Sequence, residues 1–402
     1  MIAPFIRFAQ LESASSIVLL AATVAALLLA NSRLGDVYEA FLRYSVGSNG
    51  GRLAVHFTVH DFVNDGLMAV FFLIVGLEVK REFLTGELRS LRLALLPVLA
   101  ALGGVITPAL LYFAMNGNGP AAHGWGVPIA TDVAFSLAVL AVFRRIPVGL
   151  KVFLVALAIV DDIAGVVVIA IVYTRRLRLE YLVVALALFA VCLLLNRRGV
   201  QRLALYVPLG LALWWAMDIS GVHPTMAGIL FALAVPSGRE QHDADGSVAN
   251  RLEQALHPWV SFGIVPLFAL VNAGISLHGL HRDALLHPIF LGIVLGLLLG
   301  KPVGITLFSW IAVRLRLAEL PRGVSWRQLH AVSWLGGIGF TVSIFIAGLA
   351  FETEEQYTLA RIAVLVASAC AAGIGACGLA ATHSRPPSSA YPAIARDNPQ
   401  AP

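Results

Sequence analysis

Asp161 and Asp162 stand side by side in Leu150 to Thr174, a run that is otherwise almost wholly apolar and long enough to cross a bilayer. One carboxylate at membrane depth costs at least about 2.5 kcal/mol on insertion scales, so two in succession require protons, a cation or a basic partner. The chemistry open to such a pair is exchange. Oxygens that take protons also ligate a hard cation, and low dielectric with mutual repulsion sets the two occupancies against each other. Neighbouring helical residues point about 100° apart, so the two carboxylates cannot serve one ligand symmetrically and must divide the labour.

The elements that position this pair are membrane helices. Hydrophobic residues make up 59% of the 402 positions and charged residues 13%, where a soluble domain carries about 25% charged. The mean hydropathy is +0.84. These values exclude a soluble globule. The net charge of +5 resides in short loops between apolar runs, where Lys and Arg set orientation in lipid rather than bind nucleic acid. Cys192, Cys370 and Cys377 lie in apolar runs without paired spacing, against a disulfide framework or a metal cluster. There is no Gly-x-x-x-x-Gly-Lys-Ser/Thr loop, which points to ion gradients rather than ATP, with no cofactor. Such a carrier is not an enzyme.

Apolar runs of suitable length give twelve candidate spans: 15–31, 62–79, 93–116, 124–143, 150–174, 180–196, 203–217, 221–236, 257–277, 286–313, 329–351 and 357–381. Of the 28 Lys and Arg residues, nineteen fall on the side of the N-terminus, among them Lys80, Arg81, Arg197, Arg198, Arg314 and Arg316. Seven fall on the other side, which predicts cytoplasmic termini. One transmembrane domain, 1–382, is expected to be followed by a polar, proline-rich and disordered tail, 383–402. Between the first two spans, Ser48-Asn49-Gly50-Gly51 precedes an alternation of Leu53, Val55, Phe57 and Val59. Tyr44 to Val59 reads either as an external β-hairpin or as a plain surface loop. An exposed hairpin edge could pair with a second copy.

Two spans are interrupted. The fourth opens Gly124-Trp125-Gly126-Val127-Pro128 and reaches Thr131-Asp132, and the eleventh carries Gly336-Gly337-Ile338-Gly339-Phe340-Thr341. Unwound backbone at membrane depth is tolerated only where protein or a watery cavity satisfies its polar groups. The breaks are seven spans apart, an odd number, so equivalent segments run in opposite directions and spans three to five match ten to twelve as inverted repeats. Asp132 could then neutralise opposed positive helix ends and Lys301 opposed negative ones. A static charge pair holding two broken helices is the alternative for Asp132 and Lys301. The expected architecture is all-α: a polytopic membrane protein of about twelve helices with inverted-topology repeats, two broken crossing helices and a small external hairpin.

Several motifs carry a resemblance. Asn64-Asp65-Gly66-Leu67-Met68-Ala69-Val70-Phe71-Phe72, Gly76-Leu77-Glu78-Val79-Lys80-Arg81-Glu82, Ala130-Thr131-Asp132, Ala158-Ile159-Val160-Asp161-Asp162, Gly300-Lys301-Pro302 and Gly337-Ile338-Gly339-Phe340-Thr341 occur in order. From about Phe8 to about Ala381 the chain resembles the NhaA family of bacterial Na+/H+ antiporters. Inverted repeats are a known property of that family.

The resemblance implies a pH-regulated, electrogenic exchanger of the inner membrane that expels Na+ or Li+ and imports two protons per cation. It implies Asp162 as primary cation ligand, Asp161 as ligand and proton carrier, and Thr131 as an oxygen donor. Asp132 would support the unwound crossing, and Lys301 would pair with Asp161 or balance helix dipoles. It places pH response at Glu78, Arg81, Glu82, Arg251, Glu253 and His257, and by analogy at His223. Asn250 and Gln254 stand where titratable residues are expected, which would weaken or shift that response. A solvated charged face, and a packing role for His223, are the plainer alternatives. Membrane lipid and a homodimer through the 44–59 hairpin are the expected partners. Two rival functions remain: a sodium-coupled solute symporter, disfavoured by few polar side chains near the crossing, and an intramembrane aspartyl protease, disfavoured by the absence of a Gly-x-Gly-Asp sequence.

Overall fold

The computed structural model describes residues 2–47, 56–117, 119–143, 146–174, 177–237, 247–276 and 282–383. Among them, nine helices are long and apolar enough to cross a membrane. The number rises to eleven if two bent pairs are each one span: Ala14–Ala30 with Gly35–Leu42, bent by 115°, and Trp326–Leu335 with Phe340–Ala350, bent by 49°. The expected twelve is not reached by this measure. Its eighth member is the ten-residue helix Thr225–Ala234, about 15 Å long against a hydrocarbon core of about 30 Å.

Burial separates the lipid-facing helices from the central ones. Only 11% of the best window of Leu179–Arg197 is buried, against 61% for Val148–Val172, the helix that carries Asp161 and Asp162. The paired carboxylates thus ride on a central element. Leu91–Asn116 and Lys301–Arg314 cross in front of it in backbone contact. A Cβ on Gly103 would lie 2.3 Å from the Gly304 carbonyl oxygen, and one on Gly304 would lie 2.1 Å from that of Gly103. Only glycine fits either side of that crossing. On the other flank Thr225–Ala234 packs on Met68–Leu84, and Lys80 donates to its final carbonyls, at 2.9 Å to Leu233, 3.3 Å to Ala232, and to Val235. A cation at the C-terminal end of a helix complements its dipole, which explains how a lysine is placed there.

Ser45–Gly47 pairs antiparallel with His56–Thr58, in the register Ser45 with Thr58 and Gly47 with His56. The turn proposed for Tyr44 to Val59 lies at 48–55, outside the described residues, as does the expected tail from 384 onward.

The two breaks differ in form. The first is a 3-10 turn sequence, Pro120–Ile129, followed by extended Ala130 and the helix Val133–Ala141. In the second, Trp326–Leu335 stops at Gly336 and Phe340–Ala350 begins after Gly339. The hydrogen bonds joining them are reciprocal. Ser136 Oγ donates to the Leu335 carbonyl at 2.8 Å, and Ser343 Oγ donates to the Val127 carbonyl at 2.7 Å. Each helix beyond a break thus satisfies a carbonyl before the other break, as two segments related by a two-fold axis would. The Asp132 N–H donates to the Ile338 carbonyl at 2.6 Å and closes the crossing.

Candidate cation site at the crossing

Two hydroxyls and two carboxylates meet where the broken helices cross Val148–Val172. Asp132 caps the helix that follows it, accepting from Phe135 N at 3.0 Å through Oδ1. Its Oδ2 accepts from Thr341 Oγ1 at 2.6 Å and from Thr341 N at 3.2 Å, in the first turn of Phe340–Ala350. One carboxylate therefore serves the N-termini of both half-helices, where partial positive charge gathers.

Asp161 forms an ion pair with Lys301, both side chains being wholly buried. Thr131 Oγ1 joins them: it lies 2.7 Å from Asp161 Oδ2 and 2.8 Å from the Gly336 carbonyl, and accepts from Lys301 Nζ at 3.1 Å. Its single proton serves one of the two acceptors at a time. Lys301 thus meets a carboxylate and a hydroxyl, and the carbonyl at the end of Trp326–Leu335 is held through Thr131. Asp161 Oδ1 is buried without a partner.

Asp162 points elsewhere. It lines a cavity of about 80 Å³ together with Thr131, Asp132, Thr341, Glu78 and His257. The two neighbours therefore sit in different surroundings, one closed and neutralised, the other facing space.

The remaining charged residues singled out in the sequence separate into groups. Glu78 and His257 line the Asp162 cavity, and Arg81 forms an ion pair with Glu253 on that side. Glu82 packs at the end of the same helix, against Gly86. Arg251 donates to the Gln201 carbonyl at 2.5 Å. His223 lies on the opposite side, with Nε2 3.5 Å from Asp65 Oδ1 and Nδ1 2.8 Å from Thr225 Oγ1. It lines a second, larger cavity of about 960 Å³, which none of Thr131, Asp132, Asp161 or Asp162 reaches. Asp65 and Glu78 lie on one continuous span, Val59–Leu84, about 20 Å apart along its axis.

Between the cavities runs a row of aromatic rings. Phe71 lines the smaller cavity and packs on Phe72 at 5.2 Å; Phe72 packs on Phe345 at 5.4 Å; Phe345 lines the larger cavity and meets the His223 ring at 5.3 Å. The cavity that Asp162 lines extends to Glu78 and His257.

Sequence reasoning did not single out Ser136, Ser343 or the side chain of Thr341 as site residues. Their signal was available: each is a hydroxyl within a turn of a glycine or aspartate break in an apolar span.

The match to known proteins agrees with this geometry. The family model described as Na+/H+ antiporter 1 matches residues 6–379. The chain belongs to that family. The Na+/H+ antiporter NhaA of Aeromonas salmonicida is 47% identical over 375 residues, 92% of this chain and 94% of the relative. The NhaA proteins of a Shewanella species and of Escherichia coli are each 47% identical over 374 residues, covering 92% of this chain and 95% and 96% of the relatives. The protein is a multi-pass membrane antiporter for sodium and protons, and this supersedes both the symporter and the protease readings.

Proposed function

We propose that the protein exports Na+ or Li+ across the bacterial inner membrane in electrogenic exchange for two imported protons, with both termini in the cytoplasm. The single observation that carries this reading is the separation of the paired carboxylates: Asp161 held by Lys301, Asp162 lining the cavity. A cation arriving from the side of Glu78 meets Asp162 as its charged ligand. Thr131 stands by with oxygen lone pairs, and Asp132 keeps the opposed helix ends neutral.

Protons and the cation compete for the same oxygens. Asp162 gives up one proton as the cation arrives. The second comes from the Asp161–Lys301 pair, held on the unpartnered Asp161 Oδ1 or on Lys301 Nζ. Return of protons to these groups releases the cation once the site has turned toward the cavity of Asp65 and His223. Alternating access requires the aromatic row to part on one side while the Glu78 side closes.

Regulation by pH is assigned to the charged groups around the entry, Glu78, Arg81, Glu82, Arg251, Glu253 and His257, with His223 acting from the opposite cavity. A single antiporter domain spans 1–382, with Thr225–Ala234 as a short twelfth pass. Homodimerisation is assigned to the 44–59 segment, as the family resemblance implies.

Everted vesicles holding an acid-inside pH gradient test the core of this reading. Adding Na+ with no other solute should release protons, and Asp162→Asn should abolish that release while the protein stays folded and inserted. Near-normal exchange in Asp162→Asn refutes the site, and a requirement for an organic solute refutes exchange.

A further inference from the structure

The last helix, Glu354–His383, carries a charge that the cation site does not use. Arg361 stands about two turns from its start and is 9% exposed. Three of its contacts stay on its own helix: the Glu354 carboxylate at 3.2 Å, the Thr358 hydroxyl at 3.0 Å, and the Tyr357 ring, 4.3 Å from Cζ to the centroid. A fourth leaves it, Nη1 donating to the Asn272 carbonyl at 3.3 Å. Nε is buried without a hydrogen-bond partner. The Tyr357 hydroxyl reaches the same residue, donating to Asn272 Oδ1 at 3.0 Å. Asn272 and Asn64 in turn join side chain to side chain: Asn272 Nδ2 donates to Asn64 Oδ1 at 2.9 Å, and Asn64 Nδ2 donates to Asn272 Oδ1 at 3.3 Å.

The place of these bonds matters. Spans three to five and ten to twelve build the crossing, and Tyr357 and Arg361 lie on the twelfth, whereas Asn64 and Asn272 lie on spans two and nine, outside that set. The bonds to Asn272 therefore join the helices that hold the site to helices packed around them. On the Glu78 side, by contrast, Arg81 and Glu253 pair between spans two and nine. The cluster also adjoins the aromatic row. Asn64, Asn272, Tyr357 and Arg361 line the larger cavity together with Phe345. Asn272 Nδ2 donates at 2.9 Å to the carbonyl of Phe268, whose ring packs on Phe345 at 6.3 Å. Alternating access moves one bundle against another around the site, so turning the site toward the larger cavity draws Tyr357 and Arg361 away from Asn272. Such a parting is reversible, because the bonds are few and water entering the opened cavity reaches the unpartnered Nε.

We infer that Tyr357 and Arg361, fastened to Asn272, form a clasp that holds the side of Asp65 and His223 shut and lets go as the site turns toward it. The inference rests on the proposed alternation of the site between the two cavities. While the closed form predominates, each loss of clasp free energy raises the population of the open form in proportion.

The experiment follows a buried reporter. Ile344 is 1% exposed, lines the larger cavity and precedes Phe345. Ile344→Cys is placed in the full chain with Cys192, Cys370 and Cys377 changed to alanine, and its labelling rate is measured with a membrane-impermeant maleimide added to the outside of right-side-out vesicles. Tyr357→Phe removes only the clasp hydroxyl and keeps the ring beneath Arg361. The expected result is labelling about three- to tenfold faster in Tyr357→Phe, the scale of one lost hydrogen bond, and at least as fast in Arg361→Gln. Thr358→Ala removes a bond to Arg361 that stays within one helix, and its labelling rate should remain within about twofold of the parent. Unchanged labelling in Tyr357→Phe overturns the inference and leaves the cluster as static packing. An equal acceleration in Thr358→Ala also overturns it, because loosening anywhere along the helix would then suffice. Asp162→Asn tests the underlying site separately, by Na+-driven proton release in everted vesicles: retained release refutes the site whatever the labelling rates are.

Discussion

Removing Lys301 without removing Asp161 should destabilise the protein more than removing both. Both side chains of this ion pair are wholly buried; Lys301 meets Asp161 Oδ2, and Oδ1 has no hydrogen-bond partner. In Lys301→Gln the carboxylate keeps one short contact, the Thr131 hydroxyl at 2.7 Å, worth about 1 kcal/mol net. Leaving one member of a buried pair uncompensated costs about 3–5 kcal/mol. At roughly 1–2 °C per kcal/mol, extended from shorter chains to a chain of this size, the apparent midpoint should fall by about 3–10 °C. Asp161→Asn strands the ammonium group instead and should fall comparably. The double variant Asp161→Asn/Lys301→Gln replaces both charges with amides able to bond each other and should recover most of the loss. Thermal unfolding of detergent-purified protein at one fixed scan rate is the assay, since membrane proteins unfold irreversibly and only equal rates compare. A Lys301→Gln midpoint within about 1 °C of wild type, or a double variant no more stable than the singles, refutes the assignment of Lys301 as the compensating charge.

Thr341→Val removes the 2.6 Å bond to Asp132 Oδ2 and should cost about 1–2 kcal/mol, with Thr341→Ser restoring it in the same unfolding assay. Gly304→Ala places a Cβ 2.1 Å from the Gly103 carbonyl oxygen and should cost about 1–3 kcal/mol by overpacking, whereas Gly165→Ala, with nothing within 4 Å, should be tolerated. On the proposed competition of protons and Na+ at Asp162, lowering the pH by one unit in the range where the site holds protons should raise the apparent Na+ KM by up to about tenfold per displaced proton at constant maximal rate; a pH-independent KM in vesicle assays refutes competition. Phe345→Ala removes the ring linking Phe72 to His223 and should raise proton leak through vesicles without Na+, measured as faster decay of an imposed pH gradient.

What could be read from the sequence followed from cost. A carboxylate pair, a lysine and two glycine-rich breaks in apolar spans are each expensive in lipid, so their presence alone signals a purpose. Asp132 stands at the N-termini of both half-helices, and Lys301 pairs with Asp161, a pairing that the family resemblance implied and that the cost argument alone did not select. The hydroxyls escaped because serine and threonine are cheap enough to occur anywhere in a span, bonding to their own helix as Thr23 does. Only the crossing geometry distinguishes Ser136 and Ser343 from such bystanders. Lys80, counted from the sequence among the charges that set orientation, serves the last carbonyls of Thr225–Ala234. In that helix the apolar run is longer than its helical part: the run 221–236 includes the left-handed Gly221 turn and the segment before Thr225, leaving ten helical residues.

The charges at the crossing can be summed, and the sum bears on which ions fit. Asp161 and Lys301 cancel. Asp132 faces two helix N-termini, each equivalent to roughly half a positive charge, so it too is balanced. Asp162 is left as about one unit of negative charge beside the cavity, with Glu78 farther toward the entry. A monovalent cation neutralises that charge fully, and so does one proton. A divalent cation would leave about one positive charge in a low-dielectric site, a cost that grows as water is excluded. Were Lys301 absent, the crossing would carry about two negative charges and lose this discrimination. If the second exchanged proton is carried on Asp161 Oδ1, so that Lys301 stays charged, Lys301 limits the proposed site to monovalent ions as well as pairing with Asp161.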